Sequence, residues 1–247
     1  MRTFIAGATG YTGRALVGHL CELARHEGRE ASEVVAHVRP DSRQRDEAAA
    51  EFKGLGATVD LSPWDKAALT SSLQQHRPER VFALLGTTRG KAREAARHGI
   101  DAGYGAVDRD LTLMLLGACR VACPNAVFVY LSSLGANARS SNGYLRVRGD
   151  VEETLVASGQ PWLIAQPSFI SGADRAERRT GERMGAIVAD GALALFRLVG
   201  AKRIADRFGA MSGAELAQAL ATASRTGAPR GRRLRSDDLR ALLRGQG

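Results

Sequence analysis

A doubly wound α/β fold built on a parallel sheet is predicted by three observations. Short apolar runs of strand length alternate with helix-period patterns over about 170 residues. The first of these runs leads directly into Gly7-Ala8-Thr9-Gly10-Tyr11-Thr12-Gly13, a glycine-spaced turn between a strand and a helix. The chain has 247 residues, 44% hydrophobic and 25% charged, which suits one large domain with a sizeable core.

Thr3-Phe4-Ile5-Ala6 forms the first strand, and Ala15, Leu16, Leu20 and Leu23 mark the helix after the glycines. Val34 to Val38 is a second strand, followed by polar helix formers from Gln44 to Lys53. Ala57 to Leu61 is the third strand, with Trp64 to Gln75 as its crossover helix. Val81 to Leu85 is the fourth and ends at Gly86. A helix from Tyr104 to Ala122 carries Val107, Leu111, Met114, Leu115 and Ala118 at helical spacing. Val127 to Leu131, a helix from Tyr144 to Ala157, and Trp162 to Ala165 complete six strands. Beyond Pro167 the pattern loosens into a charged loop over residues 172–183 and a helix from Ala186 to Val199. Ser212 then caps a helix over Leu216–Ala223, and Ser236 starts a short terminal one. The expected architecture is a Rossmann-type domain over residues 1–170. A small, mostly helical C-terminal extension over 171–247 packs on it from the substrate side.

Composition narrows the function classes. No stretch approaches the roughly 20 apolar residues that span a bilayer, and Gly7 and Gly10 interrupt any signal-peptide core. Cys21, Cys119 and Cys123 are sparse and odd in number, so they are read as buried thiols rather than a disulfide or metal pair. These features point to a cytoplasmic protein without a metal. The net charge of +9 is uneven, with 15 Lys/Arg against 8 Asp/Glu in residues 172–247. The tail Pro229-Arg230-Gly231-Arg232-Arg233-Leu234-Arg235 could meet nucleic acid or an anionic membrane. No zinc-finger spacing or aromatic RNA-binding motif accompanies it, so an Arg-rich solvated surface is the preferred reading.

Ligands in a doubly wound sheet sit beyond the carboxyl ends of its strands. At the first, Gly7 suits a tight turn, Gly10 the close approach of a pyrophosphate, and Gly13 close helix packing. Thr9, Tyr11 and Thr12 belong to the same loop, whose helix N-terminus favours anions. At the second, Arg39 stands where an NAD site usually offers a carboxylate, and a guanidinium suits the 2′-phosphate of NADP. Asp60-Leu61 ends the third strand, where a carboxylate would accept from adenine. Gly86-Thr87-Thr88 ends the fourth and would line the cofactor ribose. At the fifth, Ser132-Ser133 precedes Tyr144 and Arg148, which share a helix face four residues apart. A serine hydroxyl, a tyrosine general acid and a cation that favours tyrosinate suit hydride transfer to a carbonyl. A capping serine pair and a tyrosine packed on the core fit the same residues.

The glycine turn with the serine–tyrosine pair resembles the extended or atypical branch of the short-chain dehydrogenase/reductase superfamily. Leu85-Gly86-Thr87-Thr88-Arg89-Gly90-Lys91-Ala92, Val107-Asp108-Arg109-Asp110, Leu131-Ser132-Ser133-x-Gly135-Ala136 and Tyr144-Leu145-x-Val147 are similar to segments of HIV Tat-interactive protein-like oxidoreductases. The resemblance covers about residues 2–170. It implies NADPH held by the glycine loop, Arg39 and Thr87–Thr88, with catalysis by Ser133, or else Ser132, and Tyr144. The resemblance expects a lysine four residues after the tyrosine, where this chain has Arg148. Pro167-Ser168 stands where Arg-Pro-Gly is usual, at the nicotinamide end. The expected function is an NADP-dependent carbonyl reductase acting on a small molecule. The alternative is an NADP-binding regulator with weak or no turnover, for which a protein partner stays open.

Overall fold

The computed structural model of the chain describes residues 1–86, 109–171, 210–225 and 230–245. Among the described residues nine strands are present: β1 Thr3–Ala6, β2 Val34–His37, β3 Thr58–Asp60, β4 Arg80–Ala83, β5 Val127–Leu131, β6 Trp162–Gln166, β7 Phe169–Ser171, β8 Ala210–Ser212 and β9 Arg232–Arg235. Seven α-helices among the same residues accompany them: α1 Tyr11–His26, α2 Arg45–Gly54, α3 Lys66–His76, α4 Leu111–Ala122, α5 Gly143–Ala157, α6 Gly213–Ala223 and α7 Ser236–Arg244. The main sheet has seven strands in the order β3-β2-β1-β4-β5-β6-β9. All its pairings are parallel. The chain winds outward in both directions from β1, as the alternation of strand and helix implies.

Both faces of this sheet are covered, which is why its central strands read as unbroken apolar runs. Alternation along β1 sends Ile5 to one face, with Leu16, Val17 and Leu20 of α1, Phe52 of α2, and Leu216 and Leu220 of α6. Phe4 and Ala6 go to the other, with Leu69 and Leu73 of α3, Leu115 and Cys119 of α4, and Val151 and Leu155 of α5. Burying a Leu or Phe side chain contributes about 1.5–3 kcal/mol, so these two layers carry most of the stabilisation. At the amino edge, Arg80 is buried and donates to Thr3 Oγ1 at 2.8 and 3.0 Å and to Ser224 Oγ at 3.2 Å. Burial pushes its pKa down to about 10, so it stays charged at neutral pH while tying β1 and β4 to the end of α6.

The C-terminal part departs from the expectation in two respects. Arg232–Arg235 lies within the basic stretch read as solvated surface, yet it is the seventh strand of the sheet, in register with Leu163–Gln166 of β6. Leu234 is buried and the three arginines around it remain exposed, so a surface and a strand coexist in one segment. β7 and β8 form a separate parallel pair that the sequence did not suggest. The cap expected at Ser212 is present, and it is reciprocal: Ser212 Oγ accepts from Glu215 N at 3.1 Å, and Glu215 accepts from Ser212 N at 2.7 Å. The terminal helix begins at Ser236, with Arg235 at the cap position and Asp238 accepting from its amide at 2.9 Å. The helix expected over Ala186 to Val199 and the first turns of the one expected from Tyr104 lie outside the described residues.

Candidate functional site

Because the seven strands are parallel, their carboxyl ends share one edge, where the β1–α1 turn lies. Gly7 has φ +86°, and a Cβ there would stand 2.7 Å from the carbonyl oxygen of Leu84. A Cβ on Gly13 would stand 2.1 Å from Gly7 O and 2.8 Å from Ala8 Cα, so the helix lies against the turn at a distance only glycine allows. Gly10 caps α1 with no side-chain hydrogen bond, and no acidic residue occupies the first turn. Thr9 is partly exposed and Thr12 is buried in that turn. The positive end of α1 is therefore presented without a built-in anion, as a phosphate cradle requires. Tyr11 has a structural use: its hydroxyl accepts from Gly213 N at 3.5 Å, and its ring fills the space where a Cβ on Gly213 would lie.

Arg39 follows β2 at the same edge. Its guanidinium is about half exposed (48%) and lies 3.6 Å from Asp41 Oδ2. An exposed pair of this kind is weak and readily exchanged for a phosphate. Asp60, at the end of β3, has its oxygens engaged inside the protein. They accept from Ser62 N at 3.0 Å, Ser72 Oγ at 2.6 Å, His76 Nε2 at 3.1 Å and the Ser62 hydroxyl. Burial pushes its pKa up, but the hydrogen bonds from His76, Ser62 and Ser72 together outweigh it and hold the carboxyl below its usual range. This use of the carboxylate differs from the adenine contact expected of it. The neighbouring exposed side chain is Leu61, at 46%.

Gly86 is exposed beyond β4, while Thr87 and Thr88 lie outside the described residues. The two serines after β5 diverge, as consecutive residues of an extended chain do. Ser132 is buried and donates to Glu152, whereas Ser133 is half-buried. Asn142 caps α5, its side-chain oxygen accepting from Tyr144 N at 3.0 Å and Leu145 N at 3.2 Å. One turn later Arg148 is buried and reaches back under the strand ends. It donates to Leu131 O, to Leu85 O at 3.2 Å and to Tyr130 Oη at 3.3 Å. Its Cζ stands 5.2 Å from the centre of the Tyr144 ring and 5.6 Å from that of Tyr130. Such placement over an aromatic face is a cation–π contact. The expected pair Tyr144 and Arg148 is therefore brought together, with Ser133 at the end of the neighbouring strand. Pro167 is buried and its carbonyl accepts from Leu134 N at 2.9 Å, tying the loop after β5 to the end of β6.

A polar cluster beside this site was not anticipated. Glu152, one turn beyond Arg148, is 3% exposed and gathers three elements. Gln166 Nε2 donates to its two oxygens at 2.8 and 3.0 Å, Arg233 Nε donates at 3.0 Å, and Ser132 donates as well. A buried carboxylate needs such compensation. A cavity of about 560 Å³ opens over this cluster, lined by Gly135, Gly149, Gln166, Arg233 and Arg235 among others. The one sequence signal for it was the four-residue spacing of Arg148 and Glu152 on a helix. Among the described residues no group of His, Cys, Asp or Glu is placed to hold a metal ion. No helix among them is long and apolar enough to cross a membrane.

Residues 3–149 match the NAD dependent epimerase/dehydratase family. Relatives include Protein fmp52, mitochondrial, of Aspergillus fumigatus, 34% identical over 183 residues that cover 72% of this chain and 70% of the relative. Its namesake in Saccharomyces cerevisiae is 30% identical over 158 residues, covering 64% and 60%. Among solved structures, UDP-glucose 4-epimerase from Brucella ovis in complex with NAD superposes with a TM-score of 0.57 at 16% identity, over 90% of this chain and 72% of that one. A Serratia marcescens short-chain dehydrogenase/reductase superposes with a TM-score of 0.57 at 14% identity, over 94% of both chains. These two likenesses carry the fold. The cytoplasmic location expected from the apolar stretches, the interrupted signal-peptide core and the cysteine content is corrected by the relatives, which are named as mitochondrial proteins. The glycine turn on β1, the parallel sheet and the match over residues 3–149 together establish that the chain belongs to the NAD dependent epimerase/dehydratase family.

Proposed function

We propose that the protein is an NADP-dependent oxidoreductase that reduces a carbonyl on a small molecule. The observation that carries this reading is the stacking of Arg148 on Tyr144 at 5.2 Å, on the sheet edge that holds the glycine turn. The residues present suit the dinucleotide. Gly7, Gly10 and Gly13 leave room for a pyrophosphate at an α1 terminus that lacks a built-in anion, and exposed Leu61 gives adenine an apolar surface. Exchange of Asp41 for a 2′-phosphate on Arg39 accounts for the preference for NADP. When bound, the nicotinamide supplies the hydride. The chain's own part is to hold the carbonyl oxygen through the Ser133 hydroxyl and to deliver a proton to it from Tyr144 Oη. Arg148 positions Tyr144 and keeps positive charge beside it. Residues 171–247 supply the substrate side.

The engagement of Arg148 with Leu85, Leu131 and Tyr130 favours a second reading, in which the protein binds NADP and regulates without turnover. The two separate on one experiment. NADPH and NADH affinities are measured with purified protein, and carbonyl compounds are screened for NADPH oxidation. Carbonyl reduction that falls by about 10²–10⁴-fold in Tyr144→Phe with NADPH affinity retained supports the first reading. Tight NADPH binding with no turnover, unaltered in that variant, supports the second.

A further inference from the structure

Away from the strand ends, at the opposite side of the sheet, α4 ends in a pair of sulfurs. Cys119 is fully buried in the core layer under α4, and Cys123 is the residue at which the helix stops. In a regular helix, residues four apart hold their Cβ atoms about 5–6 Å apart, too far for the 3.5–4.5 Å of a disulfide. Cys123 has left the regular helix, with φ −145° and ψ 68°, while its amide still donates to Cys119 O at 2.8 Å. Its Sγ stands 3.5 Å from Cys119 Sγ. Cys123 is half-buried and lines a cavity of about 650 Å³ together with Arg77, Glu79, Asn125 and Arg230. The two thiols therefore differ in access: one is sealed in the core, the other faces an opening that carries two guanidinium groups.

We propose that Cys119 and Cys123 are a redox-active dithiol that reacts with anionic low-molecular-weight disulfides of the glutathione class, Cys123 attacking and Cys119 resolving. Cys123 thiolate attacks one sulfur of the disulfide and expels a glutathione thiolate, which takes up the proton Cys123 released. Cys119 then loses its proton and attacks Cys123 Sγ in the mixed disulfide. The intramolecular S–S bond forms, and the second glutathione leaves as thiolate and is protonated. Two protein thiols are oxidised and one glutathione disulfide is reduced to two thiols, so electrons and protons balance. The carboxylates of glutathione match Arg77 and Arg230 in the cavity. The order of attack follows from access, since Cys123 lines the cavity and Cys119 is sealed in the core; the sulfur–sulfur hydrogen bond agrees with it by holding the Cys123 thiol below its usual range against the effect of burial. The same hydrogen bond, with burial, pushes the Cys119 thiol far up. Cys21 is an internal reference: it is buried in the other layer, and burial pushes its pKa up to about 11.

Arg120 lies between the two cysteines, so trypsin places Cys119 on the peptide 110–120 and Cys123 on 121–139. The folded protein is treated with glutathione disulfide, remaining thiols are alkylated, and the tryptic peptides are weighed. Peptides 110–120 and 121–139 are expected to appear joined and short of two hydrogens. They separate again with dithiothreitol, and Cys21 stays alkylated throughout. Cys119→Ser is expected to stop at a glutathionylated Cys123. Cys123→Ser is expected to slow oxidation of Cys119 by at least about tenfold, since the remaining thiol is sealed from solvent. The proposal is overturned if both cysteines of the wild-type protein stay alkylatable under conditions that fully oxidise a reference dithiol peptide. It is equally overturned if Cys123→Ser reacts as fast as the wild type. The wild-type measurement needs no variant to fold.

Discussion

Arg39 and His37 sit two residues apart on β2 and its end, and each makes a testable statement about charge. If the exposed Arg39 guanidinium takes the 2′-phosphate, Arg39→Ala raises the Kd for NADPH by about tenfold or more, the scale of a charge-assisted pair of roughly 1.5–3 kcal/mol. NADH affinity is expected to stay constant, and calorimetric titration of both nucleotides checks this. His37 is buried, and burial holds its pKa below the usual histidine range despite the Ser62 carbonyl 2.9 Å away. Asp60 is held below the usual carboxylate range. Both groups have folded values lower than unfolded ones, so each contributes stability that is fully present above its unfolded pKa and lost as pH falls. Urea unfolding is therefore expected to show stability declining first below about pH 6.5 and again below about pH 4, the ordinary values of the two groups. The stability advantage of wild type over Asp60→Asn should shrink across the second of these steps.

Helix α5 gathers more of the site than any other element described, because its cap, its first turn and its second turn serve three purposes. Asn142 satisfies two amides at its start, one of them that of Tyr144. Asn142→Ala is expected to cost about 1 kcal/mol in chemical denaturation. It should also lower carbonyl reduction more than NADPH affinity, since Tyr144 sits in the released turn. Gly149 lets the same helix press on the loop after β5: a Cβ there would stand 2.1 Å from Ala138 N. Elements such as α5 were legible because their apolar residues recur with the helical period over three or more turns. The central strands were legible because burial on both faces leaves unbroken apolar runs. β7, β8 and β9 were not legible: they have three or four residues each, and Arg232-Arg233-Leu234-Arg235 offers a single apolar side chain. Their pairing comes from the edges they meet rather than from their own composition.

Over the whole molecule, the chain's last described segments return to complete what the first two-thirds began. α6 packs along α1 through the contact of Gly213 with the Tyr11 ring, and β9 closes the edge of β6. Arg233 of that strand also neutralises Glu152, with its guanidinium 5.5 Å from the centre of the Trp162 ring. Removing residues 230–247 leaves β6 as an open edge and Glu152 without its cation. Such a truncation also removes the buried Leu234 and Leu239, and it is expected to lower the melting temperature and to aggregate through the exposed strand. Thermal melting and light scattering of the truncated chain check this. Arg233→Gln is expected to be milder, because Gln166 and Ser132 continue to donate to the carboxylate.

The sequence by itself determined the doubly wound class, the glycine turn and the residues at its strand ends, because periodicity and tight turns are local properties of neighbouring side chains. Only the tertiary structure decided what those residues touch. It engaged Asp60 with Ser62, Ser72 and His76, and turned Ser132 to Glu152 while Ser133 stayed at the strand end. It laid Arg148 under Tyr144 and brought a strand of arginines to the edge of the sheet. The bond from Ser132 to Glu152 joins residues 20 apart, and β9 meets β6 from much farther along the chain. Their partners are chosen by where the chain crosses over, and that crossing is set by burial of the two core layers rather than by any spacing along the chain.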